Sequence, residues 1–373
     1  MSRARDLADL GGSADAGGLT GRNLIINGAM TVAQRGTSST GVGSANGYFT
    51  VDRFQVFTGS TAGRATMSQV ADGPDGFANS LKFECTTSDT TIAAGENFGI
   101  LQILEGQDLQ HLKKGTSNAE SLTLSFYVKG NASATYTVEM KDNDNDRINT
   151  QKFDVTTSWN RVSLTFVPDT TGALDNDNLG SFQFGLWLHA GSDFTGGTFA
   201  SNTWAAKTNG NRVYSTQTSF FDSTSRTFFI TGVQLEVGET ATPFEHEDFA
   251  TTLRKCQRYF QAFKTGRVNT SLVSVASSTS QAVINMPLQV EPRALASYDG
   301  ALASGTFTKT GTVAVNAFPS SGNNVTSIAF WVCNSTEISV GLNTSATLVQ
   351  YNGYMTRVGA TAGETVFTLD VEL

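Results

Sequence analysis

The sequence predicts an all-β protein: an antiparallel jelly-roll sandwich, then a short helix, then a second, smaller β-sandwich domain. Three observations carry this. Apolar and polar residues alternate with the period of two that half-buried strands require. Turn-forming clusters such as "ADGPDG" and "DNDNDR" separate these runs at short intervals. With 37 Gly, 25 Phe and only 16% charged residues in 373, the composition suits many short strands with Phe filling the space between sheets.

The first 22 residues stand apart. "RARDLADL" has the pattern of two helical turns, and "GGSADAGGLTG" has the composition of a flexible linker. So short and Gly-rich a piece buries no core of its own, and its order is expected to come from a partner.

Residues 23–248 form the predicted jelly roll. In "LTLSFYV", Leu122, Leu124, Phe126 and Val128 share one face, opposite Thr123, Ser125 and Tyr127. "TYTVEMK" sets Tyr136, Val138 and Met140 against Thr137, Glu139 and Lys141. In "FQFGLWL", Phe182, Phe184, Leu186 and Leu188 oppose Gln183, Gly185 and Trp187. In "FITGVQLEV", Phe229, Thr231, Val233, Leu235 and Val237 oppose Ile230, Gly232, Gln234 and Glu236. One face packs inward and the other meets solvent, as in a two-sheet sandwich.

Residues 249–265 break the pattern. Phe249, Leu253, Cys256, Phe260 and Phe263 are spaced four, three, four and three apart, a heptad-like stripe. Asp248 can cap the start and Gly266 follows the end. The plain reading is a linker helix laid on one domain; the sharper one is a seam on an oligomer axis. From residue 266 to 373, runs such as "VSVASSTSQAVINMPLQV", "GTVAVNAF", "SIAFWVCN" and "ETVFTLDVEL" predict the second β domain.

Composition and motif also exclude. A formal charge of −8 with no basic run argues against nucleic acid. No apolar run approaches the about 20 residues of a membrane span, and "MSRARDLADLGG" lacks a signal-peptide core. Cys85, Cys256 and Cys333 are few, odd and far apart, which predicts reduced thiols rather than a disulfide framework or a zinc site. "KDNDNDR" spaces Asp142, Asp144 and Asp146 like the start of an EF-hand loop. Arg147 and Phe153 then stand where Gly and Glu are needed, so a hairpin turn is expected. His111, His189 and His246 lie in unrelated contexts without a nucleophile elbow or HExxH, and no catalytic residues are expected.

Several stretches together carry a family resemblance. "NLIINGAMTVAQRGTS…YFTVDRF", "TSWNRVSLTF" and "ITGVQLEVGETATPFEHEDFATTLRKCQRYF" resemble a jelly-roll domain of bacteriophage tail-fibre proteins over about residues 23–263. The likeness implies a virion protein made without a signal peptide, which attaches the particle to host-surface glycan. It further implies a homo-oligomer, a trimer being the expected state, with Phe249, Leu253, Cys256, Phe260 and Phe263 at the axis. Arg3, Arg5, Leu7 and Leu10 would anchor it to other tail or capsid proteins. A decoration or adaptor protein without a receptor role, and a polysaccharide depolymerase, are the two other readings. The domain also resembles carbohydrate-binding modules that carry a structural calcium. Here the corresponding strands read "NGAM" and "ITGVQLE" rather than an acidic ligand set, and no metal or cofactor is expected.

Alternation supplies a candidate glycan site. Trp187, Gln183, Tyr127, Glu139, Gln234 and Glu236 all face away from the core stripes of their strands. An aromatic ring among hydrogen-bonding side chains suits a sugar, whose C–H faces stack and whose hydroxyls need partners. The competing reading places Trp187 under a loop such as "TFASNTWAAKTNGNRVYST", as ordinary packing.

Overall fold

The computed structural model describes residues 21–264, 270–294, 306–309, 313–316, 323–333, 337–344, 348, 353–358 and 365–373. Arg3, Arg5, Leu7 and Leu10 lie outside them. The chain divides into two compact units, one running up to Thr252 together with Leu373 and the other spanning Leu253–Glu372. Both are antiparallel β structures, as the alternation predicts.

The N-terminal unit contains β1 (Ser38–Val42), β2 (Gly47–Tyr48), β3 (Gln55–Gly59), β4 (Arg64–Val70), β5 (Ser80–Thr87), β6 (Asn97–Glu105), β7 (Leu122–Gly130), β8 (Ala134–Asp142), β9 (Arg147–Val155), β10 (Asn160–Phe166), β11 (Gly180–Ala190), β12 (Ala205–Ala206) and β13 (Thr227–Val237). One sheet has the order β1-β4-β5-β13-β7-β10 and the other β12-β9-β8-β11-β6-β3-β2. The inward stripes fill the space between them. Phe83, Phe98, Phe126, Phe182, Phe184 and Phe228 are all fully buried, and rings such as Phe126 and Phe153 meet edge to face at 5.2 Å.

The residues behind the family resemblance are structural. Asn23 Nδ2 donates to the Val233 carbonyl, and Asn23 Oδ1 accepts from the amides of Ile25 and Leu235. Asn27, at φ 63°, holds its left-handed backbone with its own side chain, which accepts from Thr31 and Val32 and donates to the Val32 and Asp52 carbonyls. Gly28 lies against β13, where a Cβ would come 2.0 Å from the Val233 oxygen. Asp52, fully buried, accepts from the Gln34 amide and side chain at 2.9 and 2.6 Å.

The other end of the unit closes on the same strand. Gln234 and Glu236 face outward from β13 yet are buried, because residues 242–245 return across them. Glu236 accepts from the Thr242 amide and hydroxyl at 2.9 and 2.7 Å. Gln234 Oε1 accepts from the Glu245 amide at 2.7 Å. The Glu245 carboxylate in turn accepts from the backbone amides of Gly21 and Asn23. Gln234 and Glu236 are therefore latch residues, not ligand contacts.

At one end of the sandwich, Lys114 bridges Asp142 and Asp169, and Arg147 donates to Asp169 at 2.8 and 3.0 Å. The "DNDNDR" stretch is the β8–β9 turn, as expected, with Asp142 buried and capping it through the Asn145 amide. Burial would raise the Asp169 pKa, but hydrogen bonds from Arg147 and Lys114 outweigh it and hold the carboxyl below its ordinary value.

The helix is shorter than the heptad spacing predicts. It spans Phe249–Gln257 (α2; α1 is the single turn Ser192–Thr195), and Asp248 accepts from the Thr251 amide at its start, as expected. Phe260 and Phe263 instead lie on β14 (Phe260–Lys264). Cys256 and Phe260 are buried, Leu253 is half-buried and Phe263 packs on the C-terminal core. The five residues thus share no single helical face. Of the stripe, Phe249 alone is largely exposed, at 59%.

The C-terminal unit was expected as a sandwich. Its strands β15 (Thr270–Ala276), β16 (Gln281–Pro287), β18 (Val313–Asn316), β19 (Asn323–Cys333), β20 (Glu337–Thr344) and β21 (Gly353–Val358) close into a barrel, in the order β15-β16-β20-β19-β18-β21. β14, β22 (Thr365–Asp370) and β17 (Thr306–Lys309) form a separate three-stranded sheet. Closure pairs both edges of a small sheet, which would otherwise be open to intermolecular strand addition. The buried faces meet in register, with Ala282, Ile284 and Met286 opposite Leu342, Val340 and Ile338.

Two outcomes follow from these contacts. Gly28→Ala forces a backbone shift at β13 and should cost about 1–3 kcal/mol. Urea unfolding followed by tryptophan fluorescence measures this, since Trp159, Trp187 and Trp204 all report on the N-terminal unit. Asp169 has a folded pKa below its unfolded value, so its stabilisation is present above about pH 4 and is lost as pH falls through the folded value. Asp169→Asn should be less stable at pH 7 and show a shallower acid decline below about pH 4 in pH-dependent melts.

Candidate glycan-binding face

The seven-stranded sheet has one face in the core and the other turned outward. Register places the outward residues in rows across the strands. One row runs Tyr48, Gln55, Leu101, Gly185, Glu139, Thr150; the next runs Ile103, Gln183, Lys141, Ile148; a third runs Phe57, Gly99, Trp187, Thr137, Lys152. Trp187, Glu139 and Gln183 therefore share this face. Tyr127, Gln234 and Glu236 belong to the other sheet, so the six predicted residues do not form one site. Tyr127 packs on Phe77, whose ring also meets Phe244 and His246 beside a separate cleft of about 170 Å³.

Trp187 does not offer its ring to solvent. It is 3% exposed because residues 191–214 fold back over it. Phe57 and Phe194 contact the ring at 4.9 and 5.1 Å between centroids, and the Arg212 guanidinium lies 4.6 Å from it. The indole Nε1 donates to Glu139 Oε2 at 2.7 Å. Arg212 donates to both Glu139 oxygens, with Nη2 to Oε1 at 2.8 Å and Nε to Oε2 at 2.9 Å. Glu139 is fully buried, and this pairing satisfies a charge that would be costly alone. Trp187 and Glu139 thus fasten the covering segment.

Beyond that segment the face carries partly exposed polar side chains. The floor is Gly185, itself buried, where the nearest atoms a Cβ would meet are the Glu139 and Ile100 carbonyls and Leu101 Cβ, all at an ordinary contact distance of 3.8 Å. Around it stand Gln55, Gln183 and Lys141, each half-buried. Among the described residues their side chains have no hydrogen-bond or ion-pair partner. Lys141 has its pKa held below the ordinary lysine value, first by burial and then by Lys207 and Arg212. From β3 to β8 the row crosses three strand intervals, about 14 Å at about 4.8 Å each. Unpaired donors around a smooth floor match a sugar's need for hydroxyl partners beside an apolar C–H surface.

Sequence alternation had already set Lys141 beside Glu139. What it lacked was the distinction between outward residues consumed by packing and those left unpaired. Gln55 was missed because β3 is short and its register is visible only through β6.

The sequence comparison now bears on this face. Residues 89–179 match the carbohydrate binding domain family CBM_4_9. That span carries β6, β8 and β9, and with them Leu101, Glu139 and Lys141. The match supports glycan binding by the N-terminal unit. No curated protein matches the sequence. Among solved structures, TmCBM61 in complex with β-1,4-galactotriose is similar at 9% identity and TM-score 0.31, covering 58% of this chain and 99% of that one. The enzymatically active domain of tailspike protein 4 from bacteriophage CBA120 is similar at 10% identity and TM-score 0.30, covering 58% of this chain and 21% of that one. The family 11 carbohydrate-binding module from Clostridium thermocellum has 11% identity and TM-score 0.28, with coverages of 55% and 98%. These likenesses concern the fold and assign no ligand.

Trp187→Ala should behave as a core truncation and lower stability by about 3–5 kcal/mol. Chemical denaturation measures this, and a variant as stable as the parent would return Trp187 to the ligand surface.

Proposed function

We propose that this chain is a receptor-binding or tail-fibre protein of a bacteriophage, whose N-terminal unit attaches the particle to glycan on the host surface. The observation that carries the glycan part is the unpaired Gln55, Gln183 and Lys141 around the Gly185 floor, in the unit that has the carbohydrate-domain match. The virion part rests on the tail-fibre motifs. The chain spans too little of the tailspike for that likeness to extend it. Within this reading the fibre is a homotrimer, anchored to other virion proteins through its first residues and free of catalytic machinery. Phe249 is the stripe residue most open to another copy. Light scattering tests the oligomer, and immuno-labelling of particles tests the location.

Lys141→Ala should weaken glycan binding about 10-fold or more, and Gln183→Ala about 2- to 10-fold, from the usual worth of charged and neutral hydrogen bonds. Neither should lower the melting temperature appreciably, because neither side chain has a partner to lose. A glycan array followed by calorimetry on the bound sugar measures both. Unchanged affinity in the two variants would remove this face as the site.

A further inference from the structure

We infer that Asp89, Glu96 and His189 form a binding site for one first-row divalent cation, with Zn²⁺ as the reference ion. Asp89 and Glu96 lie in the connection between β5 and β6, and His189 near the end of β11. One donor atom from each comes within 4.8 Å of the other two. The three residues are 7%, 6% and 0% exposed.

Charge is the second observation. Among the described residues neither carboxylate has a Lys or Arg partner. The side-chain contact of Glu96 is His189 Nε2 at 3.4 Å, long for an N–H···O bond. Two buried carboxylates without a cation are expensive, and a divalent ion neutralises both. The neutral imidazole is the ligating form.

The surroundings orient the donors as metal ligands are usually oriented. Asp89 Oδ2 accepts from the Thr61 hydroxyl and the Ala62 amide, both at 2.8 Å. His189 Nδ1 lies 2.8 Å from Ser219 Oγ, which itself accepts from the Phe221 amide. With Nδ1–H donating to Ser219, the Nε2 lone pair faces the two carboxylates. A Ser219–His189–Glu96 proton relay would use the same order of groups. His189 has no exposure, however, and offers no substrate a place to stand. One imidazole and two carboxylates suit Zn²⁺ or a neighbouring first-row ion. Ca²⁺ takes six to eight oxygens, and Mg²⁺ keeps most of its waters. Around an ion at about 2.1 Å from each ligand, donors sit about 3.4 Å apart, the separation His189 Nε2 and Glu96 Oε2 already have.

The site has a mechanical place in the fold. The Gly191 amide donates to the Glu96 carbonyl at 2.8 Å and the Asp193 amide to the Ala94 carbonyl at 3.0 Å. The ion would therefore rivet the 89–96 connection to the root of the segment that covers Trp187. The inference is independent of the glycan reading.

The test uses the full chain, stripped with chelator and titrated with Zn²⁺ by calorimetry, with bound metal counted after dialysis. One equivalent per chain and a raised melting temperature are expected. Glu96→Gln and His189→Gln should each lose that equivalent, while a Cys85→Ser, Cys256→Ser, Cys333→Ser triple variant should keep it. The near-isosteric Glu96→Gln decides the matter if His189→Gln does not fold. Absence of a saturable equivalent in the parent, or its survival in Glu96→Gln, would overturn the site. Loss with the cysteines would assign the metal to thiols and overturn it equally.

Discussion

The N-terminal sandwich depends on a latch built around one strand. β13 lies between β5 and β7 in its sheet, and both ends of the unit are tied to it by individual hydrogen bonds rather than by more strand pairing. Asn23 and Gly28 bind its backbone from one end; Gln234 and Glu236 reach from it to hold residues 242–245 at the other. Gln234 and Glu236 are desolvated and must be paired, Asn23 is partly so, and the pairings are mutually dependent. Their spacing in the chain is constrained for the same reason. That is why two of the three stretches resembling tail-fibre domains sit at the two ends of the unit.

A second consequence concerns the seven-stranded sheet. Its outward face is divided between a covered part, where Trp187, Glu139 and Arg212 satisfy one another, and a partly exposed part, where Gln55, Gln183 and Lys141 do not. The covered part gives rigidity to the partly exposed part, because a binding surface gains most from side chains whose neighbours are already fixed.

Much of the architecture was legible in the sequence. The period-two stripes of β7, β8 and β11 assign the correct inward faces, since a half-buried strand cannot satisfy the core otherwise. On β13 alternation fails for Phe229 and Ile230, because a bulge between Thr231 and Gln234 puts Phe228 and Ile230 in the core together with Val233 and Leu235. The helix was overextended because Phe260 and Phe263 continue a heptad spacing equally compatible with the start of a strand. Pairing of Phe260 with Asp370, and the Val371 amide bonded to the Tyr259 carbonyl, decide for the strand. These partners lie more than a hundred residues away, and local propensity cannot register them. The candidate site was half legible for a related reason. Alternation says which way Trp187, Gln234 and Glu236 point. It does not say that residues 191–214 and 242–245 return to cover them. The cation site draws on Asp89, Glu96 and His189, brought together only by the packing of a loop against the end of β11.

The latch also fixes where the polypeptide enters and leaves the unit. Glu245 bonds the amides of Gly21 and Asn23, so entry and exit lie side by side, more than two hundred residues apart in sequence. A unit of this kind is topologically a bead on a string. It can be spliced into a longer chain, or exchanged for another, without altering the path of what flanks it. Pulling on the two ends would load the latch bonds first and the sheets only afterwards.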